Sequence, residues 1–472
     1  MMLEKLFGLK EHGVSVRTEV VAGVTSFMTM AYILAVNPQI LSVAGMPKGG
    51  VFVATALAAV VGTLLMAFTA NYPFVLAPGM GLNAFLAFTV VRTMGYSWPF
   101  ALLAVFVEGL LFLALSLLPV REAIFNAIPV SLKKAVAAGI GLFICAIALR
   151  TSGLVVENPA TFVTMVHFTE VPFATNGICA VLALAGTAVT GVLVARRFKG
   201  AILLGILLTW GLGMAAQACG VYVPDAARGF PSLYPDFSPA GLMENFAAFG
   251  QTAGALFRPA AWQHVRDGVV TGSGWPLALS LDFFVVMFAF FFVDLFDTLG
   301  TLIGVSMKGD FLDRDGRLPR ISGALCADSI ATAAGAVLGT STTTTCVESA
   351  SGIIAGGRTG LVGVTAAALF ALSVFFAPVF LAIPAFATAP ALVVVGYMML
   401  SVCAEIDWHD VGEALPAFVA IAAMPFTSSI SDGIILGVIS YTLINALGGR
   451  ARRVHWVLYV LSGLFIAKYA LM

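Results

Sequence analysis

Long apolar stretches dominate the sequence, and short connections with polar residues, glycine or proline separate them. Twelve stretches approach the about 20 residues that a helix needs to cross the hydrocarbon core of a bilayer. Backbone groups in that core must find partners within the protein, so long runs predict helices rather than the alternating segments of a membrane barrel. We place these helices at 20–43, 50–71, 98–119, 130–149, 174–195, 201–218, 281–306, 320–338, 360–383, 388–404, 412–429 and 431–448.

Two shorter segments, Leu76–Val91 and Gly339–Gly356, depart from this pattern. The first contains Pro78 and two nearby glycines, which disfavour a regular helix at its start. The second begins with serine and a run of β-branched threonines, which favours an extended conformation before a helix from about Val347. Each segment is therefore predicted to be half extended and half helical, and together with the twelve helices they make fourteen transmembrane segments.

The fourteen segments suggest internal symmetry, because the two short segments are each third in a run of seven. Seven is odd, so the two halves enter the membrane in opposite directions. The prediction is an all-α polytopic membrane protein built as a 7+7 inverted repeat, a design whose sites form at the membrane midplane around discontinuous segments. A last apolar stretch, 454–471, is either a further span or a helix along the interface.

Basic residues in the short connections predict the orientation, since cytoplasmic loops carry an excess of Lys and Arg. All fall on one side if the N-terminus is cytoplasmic and the segment count is right. These residues are Lys5, Lys10, Arg17, Arg121, Lys133, Lys134, Arg196, Arg197, Lys199, Lys308, Arg314, Arg317, Arg320, Arg358, Arg450, Arg452 and Arg453.

Composition narrows the class of protein. Of the 472 residues 60% are hydrophobic and 10% are charged, against about 25% charged in soluble domains. The net charge is zero, so bulk electrostatics indicate no nucleic-acid partner. The six cysteines show neither metal-ligand spacing nor a disulfide pattern. No phosphate-binding Gly-Lys-Ser/Thr motif is visible, which argues against an ATP-driven pump, and no cofactor or metal is predicted.

Acidic residues inside apolar stretches are the strongest functional signal, because charge is costly at this depth. Asp294 and Asp297 lie three residues apart on one face of a predicted span that contains no Lys or Arg. Carboxyl groups without basic partners predict cation coupling, with a proton as the cation. Thr298 adds a hydroxyl group beside them. Glu108 is an isolated acid, equally compatible with a structural role and with a proton relay.

The two broken segments place polar groups where each helix begins. Glu348 and Asn83 are expected at these junctions, where unpaired backbone N–H groups can meet a ligand. An amide such as Asn83 offers donors and an acceptor at once, and Thr345 adds a hydroxyl group in the extended half of its segment.

The first span and two aromatic rings supply further candidates, each with an ordinary structural alternative. Thr25, like Ser26, Thr29 and Tyr32, is a polar residue on an apolar helix, although such hydroxyl groups often bond to their own backbone. Phe27 and Phe85 are candidates for stacking on a planar ligand, with hydrophobic packing as the alternative.

Several stretches resemble the AzgA-like branch of the nucleobase/ascorbate permeases, and their order spans nearly the whole chain. The stretches are Thr25–Ile33, Ala77–Ala84, Phe292–Leu302, Gly339–Ile353 and Met424–Thr427. The resemblance implies proton-coupled uptake of adenine, guanine or hypoxanthine across the bacterial cytoplasmic (inner) membrane. The implied partners of the protein are a purine base, a proton and the lipid bilayer. The resemblance leaves open whether the protein forms a homodimer.

The resemblance also implies a division into domains. The core domain would comprise residues 1–119 and 281–384, and the gate domain residues 120–219 and 385–472. Residues 220–280 form an extracytoplasmic connection. Within the core, the resemblance implies that Asn83, Asp294, Asp297 and Glu348 bind substrate and couple protons. The full predicted substrate-binding set is Asn83, Asp294, Glu348, Thr298, Thr25, Phe27, Phe85 and Thr345, and the predicted proton-coupling set is Asp294, Asp297 and Glu348.

Other functions remain as alternatives at this stage. Uracil or xanthine uptake would use the same fold. An anion carrier of that architecture would have to tolerate several acids without a site arginine. A channel would need an open aqueous pore and no alternating access. A membrane hydrolase with two aspartates is remote, because acids three apart on one helix cannot face each other.

Overall fold

The computed structural model describes residues 2–117, 129–158, 162–198, 200–225, 230–235, 237–266, 268–313, 318–427 and 429–471. The basic residues Arg121, Lys199, Arg314 and Arg317, which contributed to the predicted orientation, lie outside these ranges.

Helices dominate the first part of the chain. In order, the elements are α1 (Met2–Phe7), α2 (Val16–Met30), α3 (Ile33–Ser42), α4 (Lys48–Thr69), β1 (Leu76–Pro78), α5 (Met80–Ala84), a π-helix (Phe85–Thr93), α6 (Trp98–Leu117), α7 (Val130–Thr151), β2 (Val155–Asn158), β3 (Phe162–Met165), a π-helical turn (Phe173–Gly177), α8 (Ile178–Ala195) and α9 (Ala201–Ala218).

The second part begins with the connection and then returns to long helices. Its elements are α10 (Pro239–Thr252), short 3-10 turns (Ala255–Phe257 and Pro259–Ala261), β4 (Gln263–Arg266), β5 (Val269–Ser273), α11 (Trp275–Ala278), α12 (Leu281–Lys308), α13 (Ile321–Leu338), β6 (Thr343–Thr345), α14 (Ser349–Ile354), α15 (Leu361–Ser373), a 3-10 turn (Val374–Phe376), α16 (Ala377–Ala382), α17 (Ala385–Leu400), a 3-10 turn (Ser401–Glu405), α18 (Val411–Thr427), α19 (Ile430–Asn445), a π-helical and a 3-10 turn (Ala446–Arg450 and Ala451–Arg453) and α20 (Trp456–Leu471).

Ten helices in the described part of the chain are long and apolar enough to cross a membrane, so this is a multi-pass membrane protein. The 28-residue α12, at about 1.5 Å per residue, also has the length for a crossing. The C-terminal α20 has 16 residues, fewer than the about 20 of a typical span, and it packs against α19.

The first predicted span, 20–43, is divided into α2 and α3 by a turn at Ala31 and Tyr32. Its hydrogen bonding continues across the turn, because the Ala31 N–H group donates to Phe27 and the Val36 N–H group donates to Tyr32. The break therefore redirects the helix without ending it, and it places the Tyr32 side chain at the corner.

The two broken segments meet as a short antiparallel strand pair. β1 pairs with β6, with Leu76 opposite Thr345 and Pro78 opposite Thr343. The pair continues at both ends, where Gly79 donates to the Thr342 carbonyl at 3.0 Å and Cys346 donates to the Val75 carbonyl at 3.1 Å. The predicted half-extended, half-helical form of both segments is confirmed.

The expectation that Asn83 lies where the helix of the first broken segment begins was wrong. The helix α5 already begins at Met80, so Gly81 lies inside it and only the residues up to Gly79 are extended. The helix then changes to π-helical hydrogen bonding over Phe85–Thr93. Gly81 faces Ile140 of α7 closely, since a Cβ atom there would lie 2.5 Å from the Ile140 Cγ2 atom. The glycine therefore serves helix packing rather than chain breaking.

The long helices pack in two sets. In the first set α13 packs against α4 and α6, α15 packs against α2 and α4, and α12 packs against α6. This set surrounds the β1–β6 pair, which contacts α4, α12 and α13. In the second set α7 packs against α17 and α18, α9 packs against α8 and α17, and α18 packs against α19.

The connection between α9 and α12 folds back onto the first set of helices. α10 packs along α4, and Gly254 donates to the Val337 carbonyl at the end of α13 with a distance of 2.8 Å. The β4–β5 hairpin reaches the start of α6, where the Ser97 N–H group donates to the Gln263 carbonyl at 2.8 Å. The described parts of the connection therefore pack against the first set of helices.

Glycine residues bring the helices of the first set into direct backbone contact, as small residues do in membrane proteins. A Cβ atom added at Gly23 of α2 would lie 2.7 Å from the Val362 carbonyl oxygen and 2.5 Å from the Thr365 Cβ atom, both on α15. Both separations are shorter than van der Waals contact, so the α2–α15 distance depends on the absence of a side chain at this position.

We expect Gly23→Ala to lower the apparent melting temperature of the detergent-purified protein, because overpacking costs about 1–3 kcal/mol. The matched control is Gly191→Ala in α8, where nothing lies within 4 Å of an added Cβ atom. That control should be neutral or slightly stabilising, since alanine is the better helix former. Equal changes in melting temperature for the two variants would contradict the proposed close packing.

Candidate functional site

Five acidic side chains lie around the β1–β6 pair, in the interior of the first set of helices. α12 supplies two of them, while α6, α13 and the start of α14 supply one each. Among the described residues, none of the five is paired with a Lys or Arg side chain. The five acids are Glu108, Asp294, Asp297, Asp328 and Glu348.

Asp328 on α13 fixes β6 in place. It accepts hydrogen bonds from the Thr345 N–H group at 2.8 Å and the Thr345 hydroxyl at 2.9 Å. It also accepts from the Thr298 hydroxyl of α12 at 2.7 Å and, at 3.4 Å, from the Thr344 hydroxyl. One buried carboxylate thus joins the strand to two helices. Sequence reasoning missed Asp328, although an acid within the apolar stretch 320–338 is the same signal that identified Asp294.

Thr298 and Thr345, both predicted to bind substrate, lie together beside Asp328. The Thr298 hydroxyl also lies 2.7 Å from the Thr344 hydroxyl and 3.4 Å from the Asp294 Oδ1 atom. Because a hydroxyl group has one proton to donate, these groups form a network in which each donor has a protein acceptor. Their observed role is to hold the strand pair against α12 and α13.

The Asp297 carboxyl group of α12 lies beside the strand pair. A Cβ atom at Gly79, the residue that follows β1, would lie 3.7 Å from the Asp297 Oδ2 atom and 3.0 Å from the Thr344 Cγ2 atom. Asp297 also lies within electrostatic range of Asp328 and Glu348. The glycine therefore allows the close approach of Thr344, and the Asp297 carboxyl group lies within van der Waals distance of this position.

Glu348 is the N-cap residue of α14, directly after the extended half of the segment. Its Oε1 atom accepts a hydrogen bond of 2.8 Å from the Tyr32 hydroxyl, at the corner between α2 and α3. Tyr32 is 3% exposed, while Glu348 is half-buried. The sequence indicated Tyr32 only as a polar residue of the first span, and the fold brings it to the predicted site.

Asn83 lies on α5 and is fully buried. Its side-chain carbonyl accepts a hydrogen bond from the Ser341 hydroxyl, which lies two residues before β6. Its Nδ2 group has no hydrogen-bond partner among the described residues. Leaving a buried donor unpaired costs about 1–3 kcal/mol, so this amide is a group that a bound polar molecule would stabilise.

Glu108, which the sequence analysis described as isolated, is not isolated in the structure. The Asp294 carboxyl group of the adjacent α12 lies beside it, and both residues are fully buried. That description was wrong because α6 and α12 are distant in sequence and adjacent in the fold.

The remaining predicted residues have packing or backbone interactions. Phe85 packs edge-to-face on Phe290 with 4.7 Å between ring centroids, and Phe27 packs edge-to-face on Phe370 at 5.0 Å. The Thr25 hydroxyl donates to the Val21 carbonyl of its own helix at 2.8 Å. These contacts do not test substrate binding, so the roles of Phe85, Phe27 and Thr25 stay predictions.

The arrangement combines an unpaired amide donor with carboxyl acceptors around a rigid backbone pair. Such a set can hold a small uncharged molecule that carries hydrogen-bond donors and acceptors. It disfavours an anion, because like charges in a low-dielectric interior repel strongly.

Comparison of sequences identifies relatives over nearly the full length. The guanine/hypoxanthine permease PbuO of Bacillus subtilis (strain 168) is 41% identical to this chain, covering 98% of this chain and 99% of that permease. The adenine permease AdeQ of Escherichia coli (strain K12) is 38% identical, covering 99% of this chain and 96% of that permease.

Comparison of structures gives the same fold at lower sequence identity. The transmembrane domain of a cyanobacterial bicarbonate transporter, BicA, matches with a TM-score of 0.60 and 14% identity, covering 89% of this chain and 97% of that domain. Finally, the sequence profile of the Permease family matches residues 17–436. This chain therefore belongs to the Permease family, and it is a membrane transporter rather than an enzyme.

Proposed function

We propose that this permease takes up the purine nucleobases adenine, guanine and hypoxanthine together with protons. The names of PbuO and AdeQ, which state guanine/hypoxanthine and adenine, support this class of substrate at 41% and 38% identity. The membrane would be the bacterial cytoplasmic membrane, with a cytoplasmic N-terminus. The basic connections described above support that orientation.

The observation that carries the proposal is the set of buried acids and the unpaired Asn83 amide around the β1–β6 pair. A purine base is planar and uncharged near neutral pH, and its edge alternates hydrogen-bond donors and acceptors. Asn83 would donate to a ring nitrogen or carbonyl oxygen of the base. Glu348 would accept from an N–H group of the base, and a site that pairs with such groups rejects analogues that leave a buried group unmet.

The other proposed roles follow from position. Asp294 would complete the substrate site from α12, and Asp297 would couple protons beside the strands. Thr298 and Thr345 would shape the site through their bonds to Asp328, while Thr25, Phe27 and Phe85 would line it. Phe85 is the stronger aromatic candidate, because it follows directly after the helix that contains Asn83.

Proton coupling is supported by the absence of basic partners for the buried acids in the described part of the chain. An unpaired carboxylate is costly in a low-dielectric interior, and binding a proton removes that cost. A proton that binds from one side and leaves on the other would link the pH gradient to transport.

We further propose alternating access between a core domain (residues 1–119 and 281–384) and a gate domain (residues 120–219 and 385–472), arranged as a fourteen-segment inverted repeat. Segments related by such a repeat cross the membrane in opposite directions, and the antiparallel pairing of β1 with β6 agrees with this. The two sets of packed helices agree with the two domains, and residues 220–280 would belong with the core.

Uptake of labelled adenine by cells that express the protein should be inhibited by unlabelled adenine, guanine and hypoxanthine, and much less by xanthine and uracil. The physical reason is that a changed donor–acceptor edge leaves a buried site group unpaired, at about 1–3 kcal/mol. Inhibition by xanthine or uracil at least as strong as that by the three purines would favour the alternative substrate class.

Uptake should increase as the external pH falls and should collapse when a protonophore dissipates the gradient. The expected cause is that the buried acids must bind protons from outside before the loaded carrier moves. Counterflow in preloaded vesicles, which needs no gradient, provides the control and also separates a carrier from a channel. Uptake unaffected by both pH and protonophore would exclude proton coupling.

We expect Glu348→Gln to reduce uptake by about tenfold or more, since hydrogen bonds to a charged group contribute about 1.5–3 kcal/mol. Glutamine can still accept from Tyr32, so the fold should persist, and immunoblots of membranes check the protein level. The matched control is Glu157→Gln, which changes an exposed ion pair with Arg150. Wild-type uptake by the Glu348 variant would remove this residue from the mechanism.

A further inference from the structure

Glu108 is a buried acid that the proposed substrate site does not use. It is the eleventh of the 20 residues of α6 and is 0% exposed, so it lies near the middle of a helix that spans about 30 Å. Among the described residues, neither of its carboxyl oxygens accepts a hydrogen bond from a hydroxyl, amide or backbone N–H group. An ionised carboxylate in such surroundings would be strongly destabilised.

The acid beside Glu108 is Asp294 of the adjacent α12, whose Oδ2 atom likewise has no such donor among the described residues. Asp328 is the next acid, at electrostatic range, and several donors satisfy it. Asp328 lies near Glu108 because α6 and α13 approach closely. A Cβ atom at Gly109 of α6 would lie 2.9 Å from the Ala333 nitrogen of α13.

No positive charge faces Glu108 from the elements that pack on α6 in the described part of the chain. Its acidic neighbours come from α12 and α13. The π-helix contributes Arg92, which is exposed in its last turn. The 3-10 turn Ala255–Phe257 contains no charged residue. Neighbouring buried carboxyl groups without a cation resist double ionisation, so such a pair favours binding a proton.

We infer that Glu108 and Asp294 form a proton-binding pair that holds the coupled proton next to the substrate site. The inference rests on the proposed proton-coupled function and adds a residue that the predicted coupling set lacked. Within the pair, Asp294 faces the Thr298 network and the strands, whereas Glu108 belongs to neither broken segment. Glu108 therefore senses the substrate only through Asp294.

The other acids are less suited to this role. Glu348 accepts from Tyr32 and caps α14, and Asp328 is held by donors from three threonines. Removing the charge of Asp328 would alter the strand pair itself, and removing that of Glu348 would change the proposed contact with the substrate. Among the described residues, Glu108 accepts no hydrogen bond from the strand pair or from a neighbouring hydroxyl group. Replacing it by a neutral group of the same shape should therefore change the proton step alone.

The test compares Glu108→Gln with the wild type and with Glu157→Gln in proteoliposomes, using labelled adenine. A pH gradient of one unit supports about tenfold accumulation for each coupled proton. We expect the wild type and Glu157→Gln to accumulate adenine. Glu108→Gln should equilibrate it without accumulation, because the remaining Asp294 carboxyl group has lost the partner with which it shares the coupled proton. Its counterflow should stay close to wild type, because the loaded carrier can still reorient.

Two outcomes for Glu108→Gln contradict the inference: accumulation with an unchanged dependence on pH, as a purely structural acid would allow, or loss of counterflow with normal protein levels. If that variant is absent from the membrane, Glu108→Asp decides. Aspartate keeps a titratable group one methylene further from Asp294, so accumulation should persist with a shifted pH for half-maximal uptake. An unshifted profile would overturn the pair. Wild-type uptake insensitive to a protonophore would instead refute the proposed function.

Discussion

Backbone N–H and C=O groups inside a bilayer have no water to bond with, so each must find its partner within the protein. Two segments of this chain give up helical hydrogen bonds near the middle of the first set of helices. They can do so because the backbone groups of one segment bond to those of the other. β1 and β6 pair over three residues, and Gly79 and Cys346 extend the pairing at its ends. Neither extended piece would be tolerated alone at this depth, so the local chain breaks and the tertiary contact depend on each other.

The strand pair also organises the acids. Asp328 accepts from Thr345 and Thr298, which fastens β6 to α13 and α12. The same pairing presents Asn83 and Glu348 from the two helices that follow the strands. A movement of one strand relative to the other would break this whole network at once. The first set of helices is therefore suited to move as one body in the proposed cycle, which would preserve the proposed substrate and proton sites while access changes.

Much of this arrangement was predictable because it depends on short-range patterns. Long apolar runs predicted the helices, and Pro78 and the threonine run after Gly339 predicted the two extended pieces. Acids inside apolar runs predicted members of the acid cluster around the β1–β6 pair, and the same criterion applied to 320–338 would have found Asp328. The π-helix after Ala84 was not predictable, since the sequence there has an ordinary helical pattern and only the packing distinguishes the two kinds of helix.

The sequence by itself determined which segments are helical, where two of them break and which acids lie within apolar stretches, because those properties follow from residue type and local spacing. Only the tertiary structure decided which of these groups meet. Glu108 was an isolated acid in the sequence, and Tyr32 was one hydroxyl among several. Close approaches at glycines such as Gly109 bring α6 against α13, and the α2–α3 corner brings Tyr32 to Glu348. Such pairings depend on how distant helices pack, and no local pattern encodes that distance.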